Sequence, residues 1–79
     1  MSLYQTPKLI STRQLKAARA LAGLTQHDLG QLLGVDERQI RFWEKRIPRQ
    51  NRKRLLLEMA LEKVGVECYA EPNIGVRCL

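Results

Sequence analysis

Between Arg38 and Arg54 lie eight basic side chains, Arg38, Arg41, Lys45, Arg46, Arg49, Arg52, Lys53 and Arg54, with Glu44 the one acid among them. That stretch carries +7 while the whole chain carries +6, so the remaining residues sum to −1. Guanidinium and ammonium groups at this density bind phosphate oxygens, and an arginine fork also matches the acceptor pair on a guanine edge. A basic excess confined to one stretch makes a local positive field that concentrates polyanions, whereas scattered charge means only solubility. The competing reading is a solvated basic face.

Other chemistries lack residues. Cys68 and Cys78 are the two cysteines and His27 the one histidine, and no CxxC or HxxxH spacing occurs, so no metal site is expected. There is no Ser/His/Asp set, no phosphate-binding glycine loop and no pair of carboxylates placed for acid–base work, so neither catalytic residues nor a cofactor are expected. A chain of 79 residues makes one small domain of marginal core, which favours an oligomeric partner and disfavours a walled catalytic pocket. Its 44% apolar and 28% charged content is that of a globular protein, with only Tyr4, Phe42, Trp43 and Tyr69 aromatic. No apolar run suits a secretory signal or a membrane span, so the expectation is a cytoplasmic, nucleoid-associated protein with reduced thiols and no membrane partner.

The elements that must position the basic stretch follow from caps and periodicity. Residues 1–10 form an N-terminal arm without a period. Ser11 with Gln14 is a capping-box pattern opening a first helix that carries Leu15, Ala18 and Ala22 and stops at Gly23. Thr25 with Asp28 opens a second, with Leu29, Leu32 and Leu33 as its stripe and Gly34 as its end. Asp36 opens a third, which must finish before Pro48. Asn51 caps a fourth, with Leu57, Ala60, Leu61 and Val64 facing inward and Gly65 closing it. From Val66 onward β-prone residues flank turn chemistry at Glu71, Pro72, Asn73 and Gly75, which predicts a short β-hairpin over 66–79.

On the third helix, at about 100° per residue, Ile40, Trp43 and Glu44 share one side. Arg38, Arg41, Phe42 and Lys45 therefore make up the other. A solvated helix has no use for Phe42 there, whereas a helix lying in the major groove can set the ring against thymine methyl groups while Arg38 reads a guanine. Glu37, Arg38, Arg41 and Phe42 are the candidate base readers. Glu44 faces inward and needs a partner, because an unpaired buried carboxylate is costly.

Two short helices joined through Gly34 and Val35 match the helix-turn-helix unit. The run Leu15, Arg19, Gly23-Leu24-Thr25-Gln26, Leu29, Gly34-Val35, Ile40 and Trp43-Glu44 resembles the lambda-type repressor and Cro family, often labelled XRE. The ending Leu61-Glu62-Lys63-Val64-Gly65-Val66-Glu67 is similar to that of short phage- and mobile-element-borne members. The resemblance spans about residues 12 to 65 and implies an all-α domain of four to five helices, here with the β-hairpin appended. It also implies that Gln26 grips the DNA backbone and braces the third helix, that Arg49, Arg52, Lys53 and Arg54 meet phosphates, and that Arg19 pairs with Glu44. His27, Lys45 and Arg46 are added as phosphate contacts from their places beside that surface. Gly30 stands where the family usually has alanine, the loop after helix 3 lacks the usual glycine, and Leu55-Leu56 departs from the usual pattern of helix 4.

The expectation is thus a helix-turn-helix DNA-binding domain over 11–65 followed by a dimerisation element over 66–79. Dimer contacts are assigned to Leu55, Leu56, Val66, Cys68, Tyr69 and Val76. The function expected is a homodimeric, sequence-specific transcriptional regulator of double-stranded DNA, a repressor acting on a palindrome and on its own promoter. RNA polymerase or a co-encoded protein remain open as further partners. The rival readings are an antitoxin or anti-activator whose main partner is a protein, and a small RNA-binding domain, the latter weakened by the shortage of stacking aromatics.

Overall fold

Ser11 lies in extended backbone and its hydroxyl accepts the N–H of Gln14, while the Gln14 amide returns to the Ser11 N–H at 3.1 Å. This reciprocal cap starts α1 (Thr12–Leu21) in the computed structural model, which describes residues 6–79. Thr25 and Asp28 repeat the device for α2 (Gln26–Leu33), which ends on Gly34 in the left-handed region at φ 71°. Asp36 caps α3 (Glu37–Lys45), followed by α4 (Asn51–Lys63) and an antiparallel hairpin of β1 (Val66–Tyr69) and β2 (Gly75–Cys78). Four helices and a C-terminal hairpin are the fold. Tyr4 and the first five residues of the arm lie outside the described residues. No helix among those described is long and apolar enough to cross a membrane.

The core joins Leu9 from the arm, Leu15 and Ala18 from α1, Leu29 from α2, Ile40 from α3, Leu57 and Leu61 from α4, and Val66 and Cys68 from β1, with Val76 of β2 packed against it. In the hairpin register Val66 faces Cys78 and Cys68 faces Val76; of these four, on one side of the ribbon, Val66 and Cys68 are buried, Val76 packs against the core and Cys78 is exposed at the end. A two-stranded ribbon is marginal alone. Here it closes the bottom of the domain against α4 and α1. Burial, helped by the negative charges of Glu58, Glu62 and Glu67, pushes the Cys68 thiol up to about 12.

Gln14 is the polar centre of that end. Its Oε1 accepts the N–H groups of Ile10 at 2.7 Å and Ser11 at 3.1 Å, and its Nε2 donates to the carbonyls of Lys8 at 2.9 Å, Tyr69 at 2.8 Å and Gly75 at 3.2 Å. One buried amide therefore fastens arm, helix and hairpin together.

Four sequence expectations are corrected. The cap of α4 is Gln50, without a side-chain bond, because Asn51 is already helical and its amide oxygen is taken by Arg54. Val64 and Leu32 are exposed, since α4 ends at Lys63 and Leu32, about 60° round the helix from Leu29, lies at the edge of the α2 stripe. Val66 and Cys68, assigned to a dimer face, are buried against this chain's own helices, because the alternation of β1 directs them inward.

Candidate nucleic-acid interface

The helix that would enter a groove is oriented from beneath. On α3, Ile40 is fully buried and Glu44 is 5% exposed, while Trp43 packs partly against the same core. The Arg19 guanidinium, in the last turn of α1, meets Glu44 in fork geometry: Nε lies 2.5 Å from Oε2 and Nη2 3.1 Å from Oε1. Nη1 of Arg19 donates to the Leu24 carbonyl at 3.0 Å, and Nε2 of Gln26 donates to Glu44 Oε1 at 3.2 Å. The carboxylate is thereby paired and accepts three hydrogen bonds, which is the condition for burying it. The hydrogen bond from Arg19 to Glu44 is also what raises the arginine above its ordinary pKa. Gln26 braces α3 through Glu44 while sitting at the N-terminus of α2, where free N–H groups favour an anion.

Gly30 sets the distance between the two helices of the turn. A Cβ there would lie 2.7 Å from the Val35 carbonyl oxygen and 3.4 Å from the Glu37 nitrogen. The connection into α3 is laid directly against α2. A side chain at residue 30 would push against backbone, so the glycine's cost in helix propensity is offset by this close approach.

With its underside fixed, α3 presents the residues predicted for base reading on the surface. Phe42 is 53% exposed, and the side chains of Arg38 and Arg41 are 82% and 49% exposed. Glu37 is half-buried at the first turn, where it accepts from Arg41 at 3.1 Å and lies 3.8 Å from the exposed His27 of α2. Beside Phe42 runs a groove of about 310 Å³, lined by Trp43, Ile47 and Pro48 on its apolar side and by Arg46, Arg49 and Lys53 on its charged side. Lys45, Arg46, Arg49, Arg52 and Lys53 are all exposed.

Arg54 stands apart from the other cations. It is half-buried, donating from Nη2 to Asn51 Oδ1 at 2.5 Å and to the Arg49 carbonyl at 3.4 Å, and its Nε is buried without a partner. Its contacts close the loop from α3 to α4. The positive charge at this position is visible in the sequence; the loop that folds back onto it is not.

Of the residues assigned to a dimer face, Leu56 is exposed, Leu55, Tyr69 and Val76 are half-buried, and Val66 and Cys68 are core. Sequence reasoning passed over Met59, which follows Leu56 by three residues on α4 and is equally exposed. Among the described residues no group of three metal-ligating side chains occurs.

A family model described as Helix-turn-helix matches residues 15–59, which covers α2, α3 and most of α1 and α4. A comparison with curated proteins finds no match.

Proposed function

Since the chain belongs to this helix-turn-helix family of DNA-binding regulators, we propose that it is a sequence-specific repressor that binds a palindromic operator as a homodimer and controls its own promoter. The observation that carries the reading is the two-sidedness of α3. One side is locked to α1 through Arg19 and Glu44, and the other holds Arg38, Arg41, Phe42 and Lys45 exposed at the surface. In the groove, Arg38 and Arg41 would meet guanine edges and Phe42 a thymine methyl, while Gln26, His27, Lys45, Arg46, Arg49, Arg52 and Lys53 would hold phosphates. Arg54 would act indirectly by holding the Arg49 loop.

A two-fold dimer would set its recognition helices about 34 Å apart and bind half-sites about 10 base pairs apart, or a multiple of that. With Val66 and Cys68 in the core, the surface left for self-association is Leu55, Leu56 and Met59 on α4 together with Tyr69, Val76 and the exposed Leu79 of the tail. Leu56→Lys is expected to make a dimer dissociate in sedimentation without unfolding the chain; an unchanged sedimentation profile removes α4 from the interface.

The decisive experiment is footprinting on the protein's own upstream region, followed by binding of that site and of random duplex over a salt series. With 6 to 10 phosphate contacts, affinity is expected to fall by about 10³ to 10⁵ between 50 and 200 mM salt. Arg38→Ala and Phe42→Ala should lower affinity for the footprinted site, by about 1–3 kcal/mol for a bidentate arginine, and leave random duplex largely unchanged. Lys53→Ala should weaken both alike. Equal losses on both duplexes for Arg38→Ala would defeat the base-reading assignment.

A further inference from the structure

The charges at the start of α3 are arranged unlike those around them. Asp36 Oδ2 lies 3.4 Å from Nη2 of Arg38, and Glu37 Oε2 lies 3.1 Å from Nη2 of Arg41. Among the described residues no carboxylate pairs with Lys45, Arg46, Arg49, Arg52 or Lys53. These five cations predicted to meet phosphates thus have no carboxylate partner, while the two arginines predicted to read bases each have an acid beside them. Neither acid is loosely placed. The other oxygen of Asp36 accepts the Arg38 backbone N–H at 3.0 Å as the helix cap, and Glu37 is half-buried, with its other oxygen 3.8 Å from His27 Nδ1.

We propose that Asp36 and Glu37 are specificity-determining residues that keep the guanidinium groups of Arg38 and Arg41 from binding DNA phosphates indiscriminately and leave them free for base edges. The inference rests on the reading that α3 enters the major groove. A free arginine binds a phosphate anywhere on a duplex, which adds affinity without information. An arginine beside a fixed carboxylate must give up that pair to reach a phosphate, and the carboxylate is itself repelled by the backbone. Five donors are available on a guanidinium, and each of these pairs uses Nη2 alone. The remaining N–H groups can still form a bidentate contact with guanine without breaking the pair. The pairs are exposed, so each shifts the balance only several-fold and adds little to the fold.

The test compares Glu37→Gln and Asp36→Asn with the parent, full length, on random duplex and on a site selected by the parent from a random pool. Asparagine caps helices as well as aspartate, so Asp36→Asn keeps α3 intact. Each substitution is expected to raise affinity for random duplex about 2- to 5-fold. The plot of log affinity against log salt is expected to steepen by about 0.9, as one arginine gains a phosphate. Affinity for the selected site should change less, so discrimination falls. Unchanged random affinity and slope, or a loss confined to the selected site, would overturn the proposal, the second result meaning that the acid itself reads a base. So would an equal effect of Glu71→Gln in the exposed hairpin turn, which would assign the change to net charge. Arg38→Ala and Arg41→Ala, run on the same duplexes, separate the two failures. If they weaken both duplexes equally, the base-reading assignment itself fails and this inference with it; if they weaken only the selected site while the acid variants do nothing, the filter alone fails.

Discussion

Helix α1 is fastened at its two ends by buried polar side chains of opposite kinds. At its start Gln14, 3% exposed, joins arm and hairpin through five hydrogen bonds and no charge. At its end Arg19 grips Glu44, 5% exposed, on the inner side of α3. A neutral amide that meets only backbone groups closes the fold, and its loss leaves unpaired N–H and C=O groups that water can partly reach. An ion pair between two helices fixes their mutual orientation, and its loss leaves a charge in the core, so the end that positions α3 is the more vulnerable of the two.

The largest expected effects come from breaking the charged end on one side only. Arg19→Ala is expected to cost about 3–5 kcal/mol, because it leaves the Glu44 carboxylate buried with Gln26 alone. Glu44→Ala should fall at the lower end of that range, since Arg19 keeps the Leu24 carbonyl and more solvent access. Denaturant unfolding measures both. Replacing the two together by apolar residues should cost less than Arg19→Ala alone. A melting temperature unchanged in Glu44→Ala would contradict the buried pair.

Gln14→Ala comes next, at about 2–3 kcal/mol, because it strands the Tyr69 and Gly75 carbonyls along with the Ile10 N–H. Hydrogen exchange should rise first in the hairpin and leave α3 protected. Exchange that rises equally in α3 would erase the distinction between the two ends.

These two ends also differ in how much of them the sequence reveals. Glu44 is legible because helical periodicity puts it on the side of Ile40 and Trp43, where a carboxylate needs a partner, and the exposed face of α3 follows from the same arithmetic. Gln14 is legible only as a cap, since its partners at Tyr69 and Gly75 are 55 and 61 residues away and are backbone groups, which carry no residue-type signal. The same limit hid the inward side of the hairpin. Alternation groups Val66, Cys68 and Val76 on one face but does not say whether that face meets the same chain or another. Arg54 was read by its charge, and only the folded loop shows that Asn51 and Arg49 take up its guanidinium.

Gly30→Ala tests the close approach that aims α3. Alanine gains about 1 kcal/mol of helix propensity, but its Cβ would sit 2.7 Å from a backbone oxygen, and overpacking of that kind costs about 1–3 kcal/mol. The net expectation is a loss of about 1 kcal/mol with a larger relative loss of operator binding, because the displaced segment leads directly into Asp36 and Glu37. Thermal unfolding and DNA titration on the same sample check it; a stabilised variant that binds normally would show that the turn has room to move.

The smallest effect concerns pH and again sets the two ends against each other. At the recognition end the caps Asp28 and Asp36 accept backbone N–H bonds from Thr25 and Arg38, which lower both carboxyls below their ordinary range. At the hairpin end Glu58 of α4 accepts the Leu9 N–H, yet burial dominates and raises its carboxyl above the ordinary 4.5. A group whose pKa is lowered on folding adds stability that is lost on acidification, whereas one whose pKa is raised makes the folded chain bind more protons than the unfolded one. Glu58 therefore removes stability as pH rises from about 4.5 upward. In Glu58→Gln the amide oxygen can still accept from Leu9, so the variant should be slightly more stable than the parent at pH 7. That advantage should shrink to nothing as the pH is brought down to about 4, where the parent carboxyl is protonated as well. The difference between the two unfolding free energies, measured across that window, isolates Glu58 from the opposing slopes of Asp28 and Asp36. A difference that grows on acidification would mean that the contact with the arm, rather than burial, governs this carboxylate.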